Sequence, residues 1–416
     1  MARNRVIYQS EALYVSRTDA SASKLGCVVN QGTDSIATSA TIVAGERPKY
    51  VQRVQNANYS FSIERQDVNQ FGNLAAIDRI ILSSPTVSLD FQYLLGNMAN
   101  EVALGFEVNA VGTATGSLVS SIKHILDKSG DEKCYYIKTV GEGLDERGQA
   151  GTYGDTAGES TSVIGLGNGY ITSYSTEASV GNFPTVSVNA EALNMRVYDK
   201  ASGNIPAVTP ATGAANTANF FQLPGDTQHN GKHALAAGTN KQLSVLRPGD
   251  ISFTFEHKAT IAGTYAAWGA ASGAHKAGVN MDQTDGDASA KLQSYNISFD
   301  ISRTPLEKLG SKFAFSREID FPVTVSMSLE GSVAEMITGG LTDLVDDDGM
   351  FHLNVDLNQP GTTTVVASYH LLGAKLDSQE FSSGIGDNKS VTMNFSSQIG
   401  GPDDVDSGFF MEGISA

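Results

Sequence analysis

The chain has 416 residues and a formal net charge of −17 at pH 7, from 45 Asp and Glu against 28 Lys and Arg. That balance excludes a protein that grips nucleic acid through a generally basic surface, although it leaves room for a local basic patch. Only 18% of residues are charged and 43 are glycine, which suits β-rich assemblies whose surfaces are covered by neighbours and suits glycine-rich loops equally well.

The N-terminal stretch from Met1 to Ser16 starts basic and then alternates with polar residues. It has no apolar core region, so no signal peptide is expected. No run of 18 apolar residues occurs, so no membrane-spanning helix is expected and the chain should be soluble when made. Cys27 and Cys134 are not in a CxxC pair and build no disulfide framework, though one optional bridge stays open.

Tyr59, Phe61 and Ile63 alternate with Ser60, Ser62 and Glu64, and Val87, Leu89 and Phe91 alternate with Ser88, Asp90 and Gln92. A period of two is a strand with one face in a core and the other on a polar side or a partner. Ile251, Phe253 and Phe255 read the same way. So do Ile297, Phe299 and Ile301; Val323, Val325, Met327 and Leu329; and Phe351, Leu353, Val355 and Leu357. Phe61 and Phe299 are expected as core or interface packing residues. Helix is sparse: a short one is expected within 96–105, and another from Ser332 towards Val345 with Ser332 as its cap and Glu335 at its third position.

Two blocks recur. At an offset of 238, Ser60, Phe61, Ile63 and Arg65 fall on Ser298, Phe299, Ile301 and Arg303. The same offset carries Gly72 onto Gly310, Arg79 onto Arg317 and Thr86-Val87-Ser88-Leu89 onto Thr324-Val325-Ser326-Met327. Further on, the segment from Gly169 to Asn182 corresponds to Ala374 to Asp387 at an offset of 205, with Val186-Ser187-Val188 over Val391-Thr392-Met393. The first copy therefore holds about 33 extra residues (238 less 205), much of them expected in the polar, Gly-rich stretch 141–168. Two blocks in one order argue for duplication of one fold. The expectation is a mainly β protein with two tandem domains, 1–199 and 200–416, each carrying a short flanking helix and long loops. Residues 201–217 are expected as a linker or arm and 259–286 as a long loop, both ordered by other subunits or mobile.

The search for chemistry is mostly negative. His229 and His233 bracket a loop-like segment and read as a solvent-facing pair. Asp346-Asp347-Asp348-Gly349 lacks the rest of a calcium loop and reads as a solvated acidic turn. The glycines of 165–169 precede a β segment, not a helix, and so form no dinucleotide loop. There is no GxSxG elbow, HExxH or phosphate loop. Asp145, Glu146 and Asp155 read as loop-solvating, Cys27 as an unactivated thiol and Trp268 as a poor platform for a ligand. No enzyme activity, catalytic residue, metal or cofactor is expected. Arg65, Arg79, Arg303 and Arg317 stand at matching places in both copies. They are the candidate contacts between domains or subunits, because the guanidinium fork bridges well; a solvent-facing charge beside a strand is the alternative.

The opening Arg5-Val6-Ile7-Tyr8-Gln9-Ser10-Glu11-Ala12-Leu13-Tyr14-Val15-Ser16 and the block from Val54 to Gly72 resemble the tail tube (major tail) proteins of long-tailed bacteriophages, as does the segment from Asp78 to Phe91. With their repeats, these blocks cover about half the chain. The resemblance implies a β-sandwich or barrel domain with a flanking helix. It implies rings whose inner strands line a channel and which stack into a tube. With two domains per chain, it implies a homotrimer of pseudo-sixfold symmetry, of the kind similar to long flexible, noncontractile tails, with sheet edges paired between subunits. The implied partners are other copies of the chain, other tail proteins at the tube ends, a tape-measure protein inside and double-stranded DNA in passage, with no membrane. The implied location is the virion tail, after the host cytoplasm. A weakly acidic lining would keep passing DNA from sticking. Two alternatives remain open on the sequence: a capsid decoration or fibre-type virion protein, and a β-sandwich surface binding module.

Overall fold

The protein is described from a computed structural model. The structure describes residues 11–17, 49–81, 86–113, 117–126, 132–139, 162–199, 205–208, 215–221, 245–258, 260–261, 264–265, 290–306, 308–309, 316–333, 349–385, 388–401, 404 and 406–413. The chain is mainly β. The first half contributes β1 (Glu11–Arg17), β2 (Val54–Ser62), β3 (Arg65–Val68), β4 (Asp78–Ile81), β5 (Thr86–Leu94), β6 (Lys133–Thr139), β7 (Ser162–Ser179), β8 (Thr185–Ala192) and β9 (Asn194–Asp199). The second half contributes β10 (Ile251–Lys258), β11 (Ala290–Asp300), β12 (Arg303–Leu306), β13 (Ser316–Ile319), β14 (Val323–Val333), β15 (Met350–Asn358), β16 (Val365–Ser382), β17 (Ser390–Ile399) and β18 (Gly408–Gly413). A short helix, α1 (Ala99–Leu104), follows β5 and ends at Gly105, whose φ of 98° is left-handed, and a single turn, α2 (Lys123–Leu126), precedes β6.

Most pairings in the first half recur in the second in the same register, while that of Tyr14 with Tyr50 has no counterpart among the described strands. Val54 faces Tyr93 and Leu292 faces Gly331, each 238 residues on, and both strand pairs shift register at the next step. The hairpin β3–β4 pairs Arg65 with Ile81, and β12–β13 pairs Arg303 with Ile319. In β8–β7 the register breaks after Asn189 opposite Ser173, and in β17–β16 it breaks after Asn394 opposite Ser378, 205 residues on. Between β6 and β7, Tyr135 faces Leu166, and between β15 and β16, Leu353 faces Leu371. Bulges change local twist and aim, so their recurrence at equivalent positions carries the same sheet curvature in both halves.

Two layers result. Pairing runs along the C-terminal part of β16, then β17, β14, β11, the C-terminal part of β7, β8, β5 and β2, giving one eight-stranded antiparallel layer. The N-terminal part of β7 pairs with β6 and β9, with β1 beyond β6. The N-terminal part of β16 pairs likewise with β15 and β18, with β10 beyond β15. These shorter sheets pack on the apolar face of the long layer: Phe91 of β5 meets Tyr135 of β6 at 6.2 Å, and Phe351 of β15 meets Phe395 of β17 at 5.9 Å. Alternation along each strand dictates this. In β5 every second residue from Val87 to Tyr93 is buried, and in β14 the same holds from Val323 to Leu329.

Several sequence expectations change. The stretch 141–168 is not one loop: 162–168 belong to β7, and the rest lies outside the described residues. The offset falls from 238 (β5 to β14) to 218 (Tyr135 to Leu353) and then to 205, so 20 of the 33 extra residues sit between β5 and β6 and 13 between β6 and β7. The glycines of that strand admit an aromatic neighbour: a Cβ on Gly169 would lie 2.8 Å from the Tyr135 ring. Ser332 is not a helix cap. It lies in the ladder opposite Ser390, one residue before the end of β14, and the Val333 amide donates to the Lys389 carbonyl at 2.8 Å; residues 334–345 lie outside the described residues. The expected helix within 96–105 is α1. In the expected linker 201–217, residues Ile205–Val208 pair with Ala215–Phe221 as a hairpin, because the Ile, Val and Phe content favours strand. In the expected loop 259–286, Thr260–Ile261 pairs with Thr264–Tyr265, and the remainder is outside the described residues. Arg65 and Arg303 each begin the first strand of a hairpin.

Candidate functional site

The long layer has one face in the core and one face free of the second layer. The outward positions are Asn56, Asn58, Ser60 and Ser62 on β2; Ser88, Asp90 and Gln92 on β5; and Ser173, Ser175 and Glu177 on β7. They continue as Ser294, Asn296, Ser298 and Asp300 on β11, Thr324, Ser326, Ser328 and Glu330 on β14, and Ser378, Glu380 and Ser382 on β16. Short hydroxyl and amide side chains bridge the strands. Asn189 donates to the Ser173 hydroxyl at 2.7 Å, and its counterpart Asn394 donates to Ser378 at 2.8 Å. The Ser60 and Ser88 hydroxyls lie 2.7 Å apart. The face carries carboxylates at Asp90, Glu177, Glu191, Asp300, Glu330 and Glu380, against Lys291, Lys375 and Arg317, which reaches Glu191. The central cross-strand row, Gln92, Ser187, Ser175, Ser298, Ser326 and Ser396, is uncharged and runs on to Lys375 of β16, with the carboxylates on either side of it.

The two halves meet inside this layer. β11 lies antiparallel to β7, with Ser294 opposite Ser179 and Asp300 opposite Ser173. The Ile301 amide donates to the Thr172 carbonyl at 2.7 Å, and the Val180 amide donates to the Gln293 carbonyl at 3.0 Å. Behind the junction, Tyr174 stacks on Phe299 at 5.5 Å and Phe106 closes on both edge-on. Tyr295, Ile297, Phe299, Tyr174 and Thr176 are all at most 2% exposed. The junction is a sealed piece of core.

The counterparts of these two strands stand at opposite ends of the layer. β2, the counterpart of β11, pairs with β5 on one side, and no described strand pairs with its other side. The C-terminal part of β16, the counterpart of the junction half of β7, pairs with β17 on one side only among the described strands. Phe299 is 2% exposed whereas Phe61 is 42% exposed; Thr176 is 0% exposed whereas Phe381 is 40% exposed. Full burial of one such aromatic is worth about 1.5–3 kcal/mol, so each of these partly exposed rings leaves about 1 kcal/mol of burial unrealised.

The four arginines fall into two settings. Arg303 and Arg317 come together at the junction, with guanidinium carbons 4.8 and 5.6 Å from the centre of the Tyr170 ring of β7. Arg317 also holds Glu191 of β8 at 3.0 Å. A cleft of about 450 Å³ opens here, lined by Thr172, Glu191, Asp300 and both arginines. Arg65 and Arg79 stand on the exposed hairpin beside the β2 edge, and Arg79 Nε holds Asp67 of the same hairpin at 2.6 Å. Phe71 and Leu74 at that hairpin's tip, and Leu309 after β12, are fully exposed.

A buried polar cluster behind the junction was not anticipated. Glu101 of α1 is fully buried and accepts from Tyr93 at 2.6 Å, and Tyr174 lies 3.4 Å from Glu101 and 3.2 Å from Tyr369. Burial pushes the Glu101 carboxyl above its usual range, against the lowering effect of these hydrogen bonds. Cys134 is buried, and its thiol is pushed up to about 11 by burial. His229, His233, Cys27, Trp268, Asp145, Glu146, Asp155 and Asp346 to Asp348 lie outside the described residues.

No family model matches the chain, and none of the curated proteins does. Among solved structures, a chain of the cryo-EM structure of the anti-feeding prophage (AFP) baseplate, 6-fold symmetrised, aligns over 40% of this chain and 94% of its own, at 12% identity and a TM-score of 0.24.

Proposed function

We propose that this chain is a structural, non-catalytic virion protein of a phage tail. It is a tandem duplication whose subunits join edge to edge into trimeric rings that stack into a tube for DNA. The observation that carries the reading is the β11–β7 junction. One chain already joins two equivalent four-stranded units head to tail, and among the described strands the same kind of edge is left at each end. A head-to-tail contact that repeats must close into a ring or run on as a filament. The resemblance to tail tube proteins sets closure at six units, hence three chains.

The polar face supports the same role. Its serine, threonine and amide surface, on which carboxylates outnumber cations among the described residues, suits a lining that passing phosphates do not bind. Exposed Phe71, Leu74 and Leu309 on the hairpin loops suit contacts between stacked rings or with other tail proteins. The protein then belongs to the virion, after synthesis in the host cytoplasm.

Negative-stain electron microscopy with mass measurement tests this. Rings or tubes with a central hole, in multiples of about 131 kDa (three times 43.8 kDa), are expected. A protein that stays at 43.8 kDa at all concentrations, with no ring or tube, rejects it.

A further inference from the structure

We infer the register in which neighbouring chains pair: residues 56–62 of β2 in one chain lie antiparallel to residues 378–384 at the end of β16 in the next. This rests on the proposed head-to-tail assembly and specifies its contact. The template is the internal junction. Subtracting 238 from the β11 partners and adding 205 to the β7 partners transfers each pair. Asn296 opposite Glu177 becomes Asn58 opposite Ser382. Ile297 opposite Thr176 becomes Tyr59 opposite Phe381, and Phe299 opposite Tyr174 becomes Phe61 opposite Gln379.

Three observations agree with this alignment. It places the exposed Phe61 and half-buried Tyr59 of one edge and the exposed Phe381 of the other on the same side of the new ladder, with Tyr59 and Phe381 as direct neighbours. It supplies donors and acceptors at both ends of the contact. By analogy with the Ile301–Thr172 and Val180–Gln293 bonds, the Ile63 amide donates to the Asp377 carbonyl of the neighbour, and the neighbour's Ile385 amide donates to Gln55. Gln55 and Gln293 already match, each side-chain amide donating to the carbonyl two residues earlier. Finally, β2 contains neither Lys nor Pro, the residues that natural edge strands use to refuse a partner.

The new junction also differs chemically from its template. Tyr170, over which Arg303 and Arg317 sit, is replaced by Lys375, and Thr172 by Asp377. Arg65 and Arg79 therefore meet a Lys and an Asp in place of an aromatic ring. The cation–π seal of the internal junction is absent between chains, and an Asp377 to arginine pair takes its place.

Disulfide trapping tests the register. The bonds at 301 and 293 make 295, 297 and 299 the hydrogen-bonded positions of β11, so Asn296 and Glu177 form a non-hydrogen-bonded pair. Such pairs have Cα atoms about 4.5 Å apart, within disulfide reach. In a Cys27→Ser background, with Cys134 left buried, Asn58→Cys with Ser382→Cys should oxidise to a covalent product of three chains, and neither single variant should. Asn58→Cys with Glu380→Cys is shifted by two residues, to about 7–8 Å, and should give at least tenfold less. Rings that form but trap only in the shifted pair, or in neither, overturn the register and leave the ring reading intact. Trapping in open chains without rings keeps the register and overturns the ring. A double variant that neither traps nor leaves the monomer mass at any concentration overturns both.

Discussion

The internal junction and the outer edges are the same piece of architecture in two states of completion. At the junction, Phe299 and Ile297 are buried against Tyr174 and Thr176; at the edges, Phe61 and Phe381 occupy equivalent positions and are 42% and 40% exposed, with Tyr59 half-buried between them. A strand meant to stay at an edge in a monomer usually carries charge or proline along its open side, and β2 carries neither. Among the described residues nothing covers these side chains fully. In the proposed assembly the contrast separates residues that hold the chain's fold from residues that a neighbouring chain would cover.

Alanine at the matched phenylalanines gives the largest expected effect. Phe299→Ala removes a ring packed on Tyr174, Phe106 and Phe409 and should lower unfolding stability by about 3–5 kcal/mol. Phe61→Ala, at a position 42% exposed, should cost the dispersed chain less than about 1.5 kcal/mol. It should weaken chain association at least tenfold. Denaturant titration of dispersed protein and sedimentation of assembled protein read the two separately. Equal losses of stability for both variants would erase the distinction between junction and edge.

Backbone donors give the next effect. In the inferred register the Tyr59 amide points to the neighbouring chain and not to β5, so Tyr59→Pro should leave the fold standing and abolish ring formation, as proline is tolerated on the open side of an edge strand. Loss of the folded far-ultraviolet signal, rather than of rings alone, would place that amide inside the chain's own ladder. Phe71→Ser with Leu74→Ser, on the exposed hairpin loop, should spare rings and shorten tubes several-fold in micrographs. Unchanged tube length would remove the hairpin from ring stacking.

Much of this contrast was legible in the sequence, because a period of two and a fixed offset survive in residues such as Ser60, Phe61, Ile63 and Arg65. The strands β2, β5, β11, β14 and β15 follow from alternation alone. The location of the edges was not legible. Phe61 and Phe299 read identically, and only strand order places one in the middle of the layer and the other at its end. The four arginines also read as two equal pairs. The split between them comes from Tyr170 and Glu191, which have no counterparts of their type at Lys375 and Ser396. Glu101 was missed because a lone Glu in a short helix gives no periodic signal. Ser332 failed as a helix cap because Gly331 and Ser332 continue a ladder already set by β17.

The smallest expected effect isolates the junction from within. Glu101 touches it through Tyr174, and the equivalent of Tyr174 at the outer edge is Gln379, so this contact is confined to the interior. Burial raises the carboxyl's pKa in the folded chain above its ordinary value. The unfolded chain then releases the proton at lower pH than the folded chain does. In that window the unfolded state binds fewer protons, and stability falls as pH rises. The stabilisation is complete below the ordinary carboxylate range and is lost as pH climbs through the raised value. Glu101→Gln keeps an oxygen to accept from Tyr93 and Tyr174 and removes the titration. The melting temperature of the parent chain should therefore decline relative to that of Glu101→Gln as pH rises above the ordinary carboxylate value of about 4, while ring formation at fixed pH stays the same. Parallel curves would mean that the carboxyl is solvated or neutralised in the folded chain. A change in ring formation would mean that the interior cluster and the outer edges are coupled after all.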